Sequence, residues 1–212
     1  MTPIRSTLSS PERSVAYGEQ NRPTLVDRFG VWLSLRQVMK HVCSFQSLRV
    51  GDFGCGYHAR IVAGMLQHVE SAVLVDIRLA EYLKRHPKVT AIEGHLPEAL
   101  HLIPDASLDL VLCTSVLEHL WQPLEALREI CRALAPGGMV LINVPSWRGK
   151  RFLEFSAFRL GMSPAEEMDD HKMYYDVRDL WPLLVQSGFL PHNIRCFTHK
   201  FGLNTYAVCM KR

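Results

Sequence analysis

Five apolar runs of strand length, at 48–53, 72–76, 89–92, 108–113 and 139–144, alternate with helical patterns at about 59–69, 78–85 and 122–135. This alternation constrains the fold more than any other feature of the chain. Strands separated by crossover helices lie parallel, and a parallel sheet needs helices on both faces. The third helical pattern carries Pro123 near its start, Leu124, Leu127, Ile130 and Leu134 on one stripe, and Pro-Gly-Gly at its end as a stop. In such sheets ligands collect at the carboxyl edge of the strands.

Both ends of the chain depart from the alternation. Residues 1–22 are rich in Ser, Pro and Arg without periodicity and read as a flexible arm ahead of one domain, 23–212. From Thr24 a helix is expected, with Leu25, Phe29, Trp32, Leu33, Met39 and Val42 at helical spacings. Residues 146–170 fit no strand, so 146–175 reads as an insertion on the acceptor side or a lid. Asp176 then caps a helix with Asp179 three residues on, Leu180, Leu183 and Leu184 at its core and Gly188 as its stop. Strands at about 193–199 and 202–210 flank a tight turn near Phe201–Gly202, which makes the last strand antiparallel.

The chain's 212 residues allow one sizeable core, and a net charge of +3 is too small to imply nucleic acid. The start of the chain has no signal-type apolar core, and no apolar run reaches membrane-span length. Cys43, Cys55, Cys113, Cys131, Cys196 and Cys209 form no C-x-x-C pair or zinc-ligand spacing, so no metal is expected. They read as reduced packing residues of a cytoplasmic protein.

The stretch VGDFGCGYHAR, residues 50–60, is a glycine turn between a strand and a helix, built for close approach of a ligand to backbone. Gly54-x-Gly56-x-x-Ala59 satisfies the dinucleotide fingerprint, and Asp76 ends the next strand where an acid can accept from ribose hydroxyls. A nicotinamide oxidoreductase is therefore one reading. Asp52 opposes it, because a carboxylate beside the turn repels a pyrophosphate. The same carboxylate attracts an ammonium group. A ligand with adenosine at one end and an amino acid at the other suits both acids, and S-adenosylmethionine is such a ligand.

On these residues the chain resembles the class I S-adenosylmethionine-dependent methyltransferases. DFGCG (52–56) is similar to the family's first motif, SLDLVLCTSVLEHL (107–120) to its fourth-strand block, and LREICRALAPGGMVLINVP (127–145) to the following helix, double-glycine turn and fifth strand. The resemblance implies a doubly wound α/β fold with a seven-stranded Rossmann-like sheet, order 3-2-1-4-5-7-6, strand 7 antiparallel. It also implies S-adenosyl-L-methionine held by Asp52, Gly54, Cys55, Gly56, Asp76, Ile77, His95, Leu96 and Thr114. Two positions depart from the pattern. His58 stands where another glycine is common and reads as a helix cap or cofactor contact; His95 stands where an acid often holds the adenine amine.

His119, after the fourth strand, and His171, before the last helix, are the candidate general bases, with Glu118 and Tyr174 as acceptor contacts. Asp109, at the far end of the fourth strand, reads as structural. The segment WRGKRFLEFSAFRL (147–160) leaves three readings open: packing on the core, a lid over the acceptor, or contact with a membrane surface or lipid-linked substrate. It has too few basic residues and no stacking platform for nucleic acid. TLVDRFGVWLSLRQV (24–38) and HKMYYDVRDLWPLL (171–184) resemble small bacterial methyltransferases of polysaccharide or lipid-linked glycan pathways. The implied reaction moves a methyl group to an oxygen or nitrogen of a small-molecule acceptor. A non-catalytic protein that binds the same cofactor is the reading from another class.

Overall fold

A computed structural model of the chain describes residues 15–19, 25–152 and 171–212. Most of the expected arm and the stretch 153–170, including Phe155 and Phe158 of the basic-aromatic segment, lie outside the described residues. The elements in chain order are α1 (Leu25–His41), β1 (Arg49–Phe53), α2 (Arg60–Ala63), β2 (Ser71–Asp76), α3 (Glu81–Lys84), β3 (Val89–Glu93), β4 (Leu108–Thr114), α4 (Pro123–Ala133), β5 (Leu134–Pro145), α5 (Val177–Gln186), β6 (Ile194–His199) and β7 (Asn204–Met210). The strands form one sheet in the order β3-β2-β1-β4-β5-β7-β6. β1 to β5 run parallel, and β7 is antiparallel to both β5 and β6. This is the expected doubly wound topology.

Side-chain alternation along the strands divides the core in two. Phe53, Val75, Val111, Cys113, Val140 and Ile142 face α4 and α5, where Leu127, Ile130, Leu180 and Leu184 are buried. Val50, Leu74, Leu110, Leu112, Leu141 and Val208 face the other way, onto Val38 of α1, Val42 just after it, Val62 of α2 and Leu83 of α3. Truncating a fully buried residue such as Leu127 costs about 2–5 kcal/mol. At the amino edge, Asp109 accepts from Arg49 Nη2 at 2.7 Å, from Arg49 Nε at 3.0 Å and from its backbone N–H at 2.9 Å, pinning β1 to β4 far from the ligand edge. The guanidinium holds this carboxyl below its ordinary range.

Three local expectations need correction. The helix expected over 59–69 is regular only through Ala63; Met65 N–H bonds Val62 O and His68 N–H bonds Met65 O, so tighter turns follow Gly64. Both kinds of turn share nearly the same apolar spacing. Along α1 the buried stripe is Ser34 and Val38, continued by Val42 just past the helix, while Phe29, Trp32 and Met39 are exposed. Phe29 stacks on Trp32 at 5.7 Å between centroids, and Arg36 lies over the Trp32 ring. The third correction concerns Pro-Gly-Gly, which lies inside β5 rather than at a helix stop. Gly137 N–H bonds Lys211 O and Lys211 N–H bonds Gly138 O, which recruits the segment to the sheet.

At the far end of the chain α5 begins where expected, with Asp179 Oδ2 accepting the Asp176 N–H at 2.9 Å, and ends at Gly188 with φ of 111°. The β6–β7 turn places Lys200, Phe201 and Gly202 all at positive φ.

Candidate active site

The turn after β1 is tied to β2 by backbone. Gly54 N–H donates to Val75 O at 2.8 Å, and Gly56 N–H donates to Asp76 Oδ2 at 2.7 Å. The other oxygen of Asp76 accepts the Ile77 N–H at 2.8 Å. Asp76 O in turn accepts the Gly94 N–H at 3.0 Å, bringing His95 and Leu96 to the same edge. Gly54 sits at φ 69°, and a Cβ there would overlap Val116 Cγ2 from the loop after β4. Thr114 ends β4 opposite Asn143 of β5, and Ser115 N–H donates to Asn143 O at 2.8 Å. The structure thus gathers Asp52, Gly54, Cys55, Gly56, Asp76, Ile77, His95, Leu96 and Thr114 along one edge, where strand order reverses between β1 and β4.

Residues 15–19 cross this turn. Tyr57 N–H donates to Tyr17 O at 2.9 Å, Ala16 is buried, and Glu19 pairs with Arg78 at 3.1 Å. His58 lies to the outside, edge-on to Tyr57 and stacked with Tyr82, whose hydroxyl donates to His58 O at 3.1 Å. It does not cap α2.

S-adenosylmethionine fits these residues. The αL glycine and the crook filled by Val116 let a ligand lie against backbone. Asp52 is 3% exposed, and among the described residues no donor reaches its carboxylate. Burial, with the negative charge of Asp76 nearby, pushes its pKa up to about 7. A cationic ligand group would relieve that cost. A carboxylate accepts up to about four hydrogen bonds, so two backbone amides do not exhaust Asp76.

The residues expected on the acceptor side come together from distant segments. Glu118 and His119 lie in the short 3-10 turn Leu117–His119. Backbone bonds from Lys172 N–H (2.6 Å) and Met173 N–H (3.3 Å) to Glu118 O bring the segment from His171 alongside. Tyr175 N–H donates to Pro145 O at 2.9 Å and its hydroxyl to Leu117 O at 3.3 Å, fixing the same junction. The rings of His119 and His171 are 4.8 Å apart, and His171 Nδ1 lies 3.0 Å from the Tyr174 hydroxyl. Glu118 is 1% exposed, and burial raises its pKa to about 8, against a smaller opposing effect of Lys200. All four residues expected on the acceptor side therefore meet.

Other polar groups at this edge gave no sequence motif. Asn143, a lone amide in an apolar strand, is fully buried, and neither of its side-chain polar atoms has a partner among the described residues. The same holds for Tyr206 OH, His199 Nε2, His41 Nε2 and Gln37 Oε1. These groups surround Tyr206, which pairs across strands with Asn143 and meets the rings of His199 and His41 at 5.5 and 6.1 Å. Beside them opens a cleft of about 1040 Å³ lined by Arg148, Arg178, Trp181, His199, Lys200 and Phe201, among others. Its walls come from the start of α5, the β6–β7 turn and the residues after β5. Burial lowers the pKa of Lys200 to about 8 and that of His199 to about 4.

Known proteins agree with this geometry. A family described as methyltransferase domain matches residues 51–142, the span from the glycine turn to β5. A probable S-adenosylmethionine-dependent methyltransferase of Mycolicibacterium smegmatis is 27% identical over 193 residues, 88% of this chain and 69% of its own length. A ubiquinone biosynthesis O-methyltransferase of Albidiferax ferrireducens is 26% identical over 167 residues, 71% of this chain and 65% of its own. The crystal structure of a SAM-dependent methyltransferase from Archaeoglobus fulgidus superposes with a TM-score of 0.61 at 16% identity, covering 85% of this chain and 94% of that one. The matched methyltransferase domain and these relatives support a class I S-adenosylmethionine-dependent methyltransferase, with S-adenosyl-L-methionine as its cofactor. Among the described residues no helix is long and apolar enough to cross a membrane.

Proposed function

We propose that this enzyme methylates an oxygen or nitrogen of a small-molecule acceptor rich in hydroxyl groups, such as a sugar or lipid-linked glycan intermediate. One observation carries this reading: Glu118 Oε2, the Asn143 amide, Tyr206 OH and His199 Nε2 are buried without partners in the protein. Buried polar groups are almost always hydrogen-bonded, so a polar ligand or water has to satisfy these. The cationic character of the neighbouring cleft, from Arg148, Arg178 and Lys200, suits an acceptor that also carries an anionic group.

When bound, S-adenosylmethionine supplies a methyl group already activated by its sulfonium, so the protein's task is alignment and exclusion of water. Asp52 and Asp76 hold the two ends of the cofactor, and Val116 against Gly54 fixes the turn between them. Glu118, His119, His171 and Tyr174 face the acceptor. The ubiquinone biosynthesis O-methyltransferase among the relatives supports an oxygen as the acceptor atom.

The test is release of S-adenosylhomocysteine from the purified protein over a panel of sugar nucleotides, lipid-linked saccharides, phenols and amines. Turnover on a hydroxylated acceptor, lost at least tenfold in Asn143→Leu or Tyr206→Phe with cofactor affinity retained, is the expected result. Turnover confined to a protein or nucleic acid substrate, or cofactor binding with no turnover on any acceptor, overturns it.

A further inference from the structure

Glu118, His119 and His171 each offer one ligand atom, and these atoms lie within 4.8 Å of one another. We propose that these three side chains bind a divalent first-row transition metal ion, placed to hold the oxygens of the acceptor. The inference rests on the acceptor side assigned above and gives that site a further component.

Two nitrogens and one carboxylate oxygen form a recurrent set for such ions, and they leave coordination positions open on one side. At metal–ligand distances of about 2.0–2.2 Å, ligand atoms in a closed site are about 3–3.5 Å apart. The present separations reach up to 4.8 Å, so an ion would have to draw the two imidazoles and the carboxylate together by side-chain rotation. Independently of this spacing, Glu118 Oε2 is buried and has no hydrogen-bond partner among the described residues. Ionised, a carboxylate oxygen held in the interior in that state is costly, and a bound cation would relieve the cost.

The supporting residues are in place. The Tyr174 hydroxyl, 3.0 Å from His171 Nδ1, can accept a hydrogen bond from Nδ1–H, a tautomer that leaves the Nε2 lone pair for the metal. The ligands come from segments far apart in sequence, but Lys172 and Met173 N–H groups donate to the backbone oxygen of Glu118 itself. Their spacing is therefore set by main chain before any ion arrives. The rival cation is the Lys200 ammonium, whose charge also acts on Glu118. With a metal bound, the two histidines act by holding the cation, and a separate general base is not required of them.

The test uses full-length protein freed of metal by chelation, with Co2+ as the probe and S-adenosylhomocysteine affinity as the check that the cofactor half is intact. One equivalent of Co2+ should bind with micromolar or tighter affinity and give visible d–d absorption without the thiolate charge-transfer band that a cysteine site such as exposed Cys43 would produce. His119→Ala, His171→Ala and Glu118→Gln should each weaken binding at least tenfold. Tyr174→Phe should weaken it about ten- to a hundredfold, as loss of a partner behind a ligand does. S-adenosylhomocysteine affinity should stay within about threefold in all four. Absence of a Co2+ spectrum in protein that binds S-adenosylhomocysteine overturns the proposal. So does unchanged Co2+ binding in the His119→Ala/His171→Ala double variant. Neither outcome touches the acceptor assignment, which fails on the turnover screen alone.

Discussion

With Asp52 holding the ligand's ammonium as proposed, cofactor binding becomes a proton-linked reaction. The Asp52 carboxyl is buried, with a pKa raised to about 7 by desolvation and by Asp76, so much of it is protonated near neutrality before the cofactor arrives. Pairing with the ligand's ammonium requires the ionised form. At pH 6 a group of pKa about 7 is ionised in roughly a tenth of molecules, and at pH 7 in about half. Affinity for S-adenosylhomocysteine should therefore rise about fivefold between these two values, and binding at pH 6 should release about 0.9 proton. The ligand's own α-amino group, with a pKa of about 8 or above, stays protonated across this window. Titration calorimetry in two buffers of different ionisation enthalpy reads the affinity and the proton count together. Asp52→Asn keeps the shape but removes the charge. It should weaken binding about ten- to a hundredfold at pH 7.5 and abolish the pH dependence. The sign for stability is the opposite. A raised acid pKa means that the folded protein without cofactor holds a proton which the unfolded chain gives up above about pH 4, so this contribution falls as pH rises towards 7. The unliganded Asn variant should accordingly melt at a higher temperature than wild type at pH 7.5. Equal affinity at pH 6 and pH 7, or no proton release, would refute the assignment of Asp52 to the ammonium.

Two other substitutions test the same edge. Asp76→Ala removes the acceptor for ribose hydroxyls and also the tie to the Gly56 and Ile77 amides; cofactor affinity by calorimetry should fall at least tenfold while circular dichroism still shows a folded protein. Gly54→Ala puts a side chain at φ 69° and into Val116; destabilisation of about 2–4 kcal/mol is expected, seen as a melting temperature about 4–16 °C lower, and an unchanged melting curve would mean that the turn is looser than described.

The sheet was legible because its signal is local. A five-residue apolar run bounded by a turn means much the same wherever it falls, and β1 to β4 lie within a residue or two of where periodicity puts them. The glycine turn was legible for the same reason: Asp52, Gly54, Gly56 and Asp76 sit in one strand–turn–helix–strand unit. What escaped the sequence depends on cover from elsewhere. The apolar spacing of α1 does not reveal that Phe29 and Trp32 face out while Val38 and Val42 face in, since the stripe is chosen by the sheet it meets. The meeting of Glu118 and His119 with His171 is made by two backbone amides far along the chain, and no spacing encodes it. Asn143 and Tyr206 look like ordinary strand residues until their neighbours across β5 and β7 are known. The lone amide in an otherwise apolar strand was the one available hint.

Val116, seated in the crook of Gly54, limits how such an enzyme can diversify. The loop that carries it also presents Glu118 and His119, so a change of length or backbone path there would disturb the cofactor turn as well. New acceptor preferences are more easily acquired on surfaces that do not touch Gly54: the walls supplied by Arg148, Trp181 and Phe201, and the stretch around Tyr174. Within a lineage of such proteins, the residues around Val116 should hold steady while those walls vary with the substrate each member has come to use.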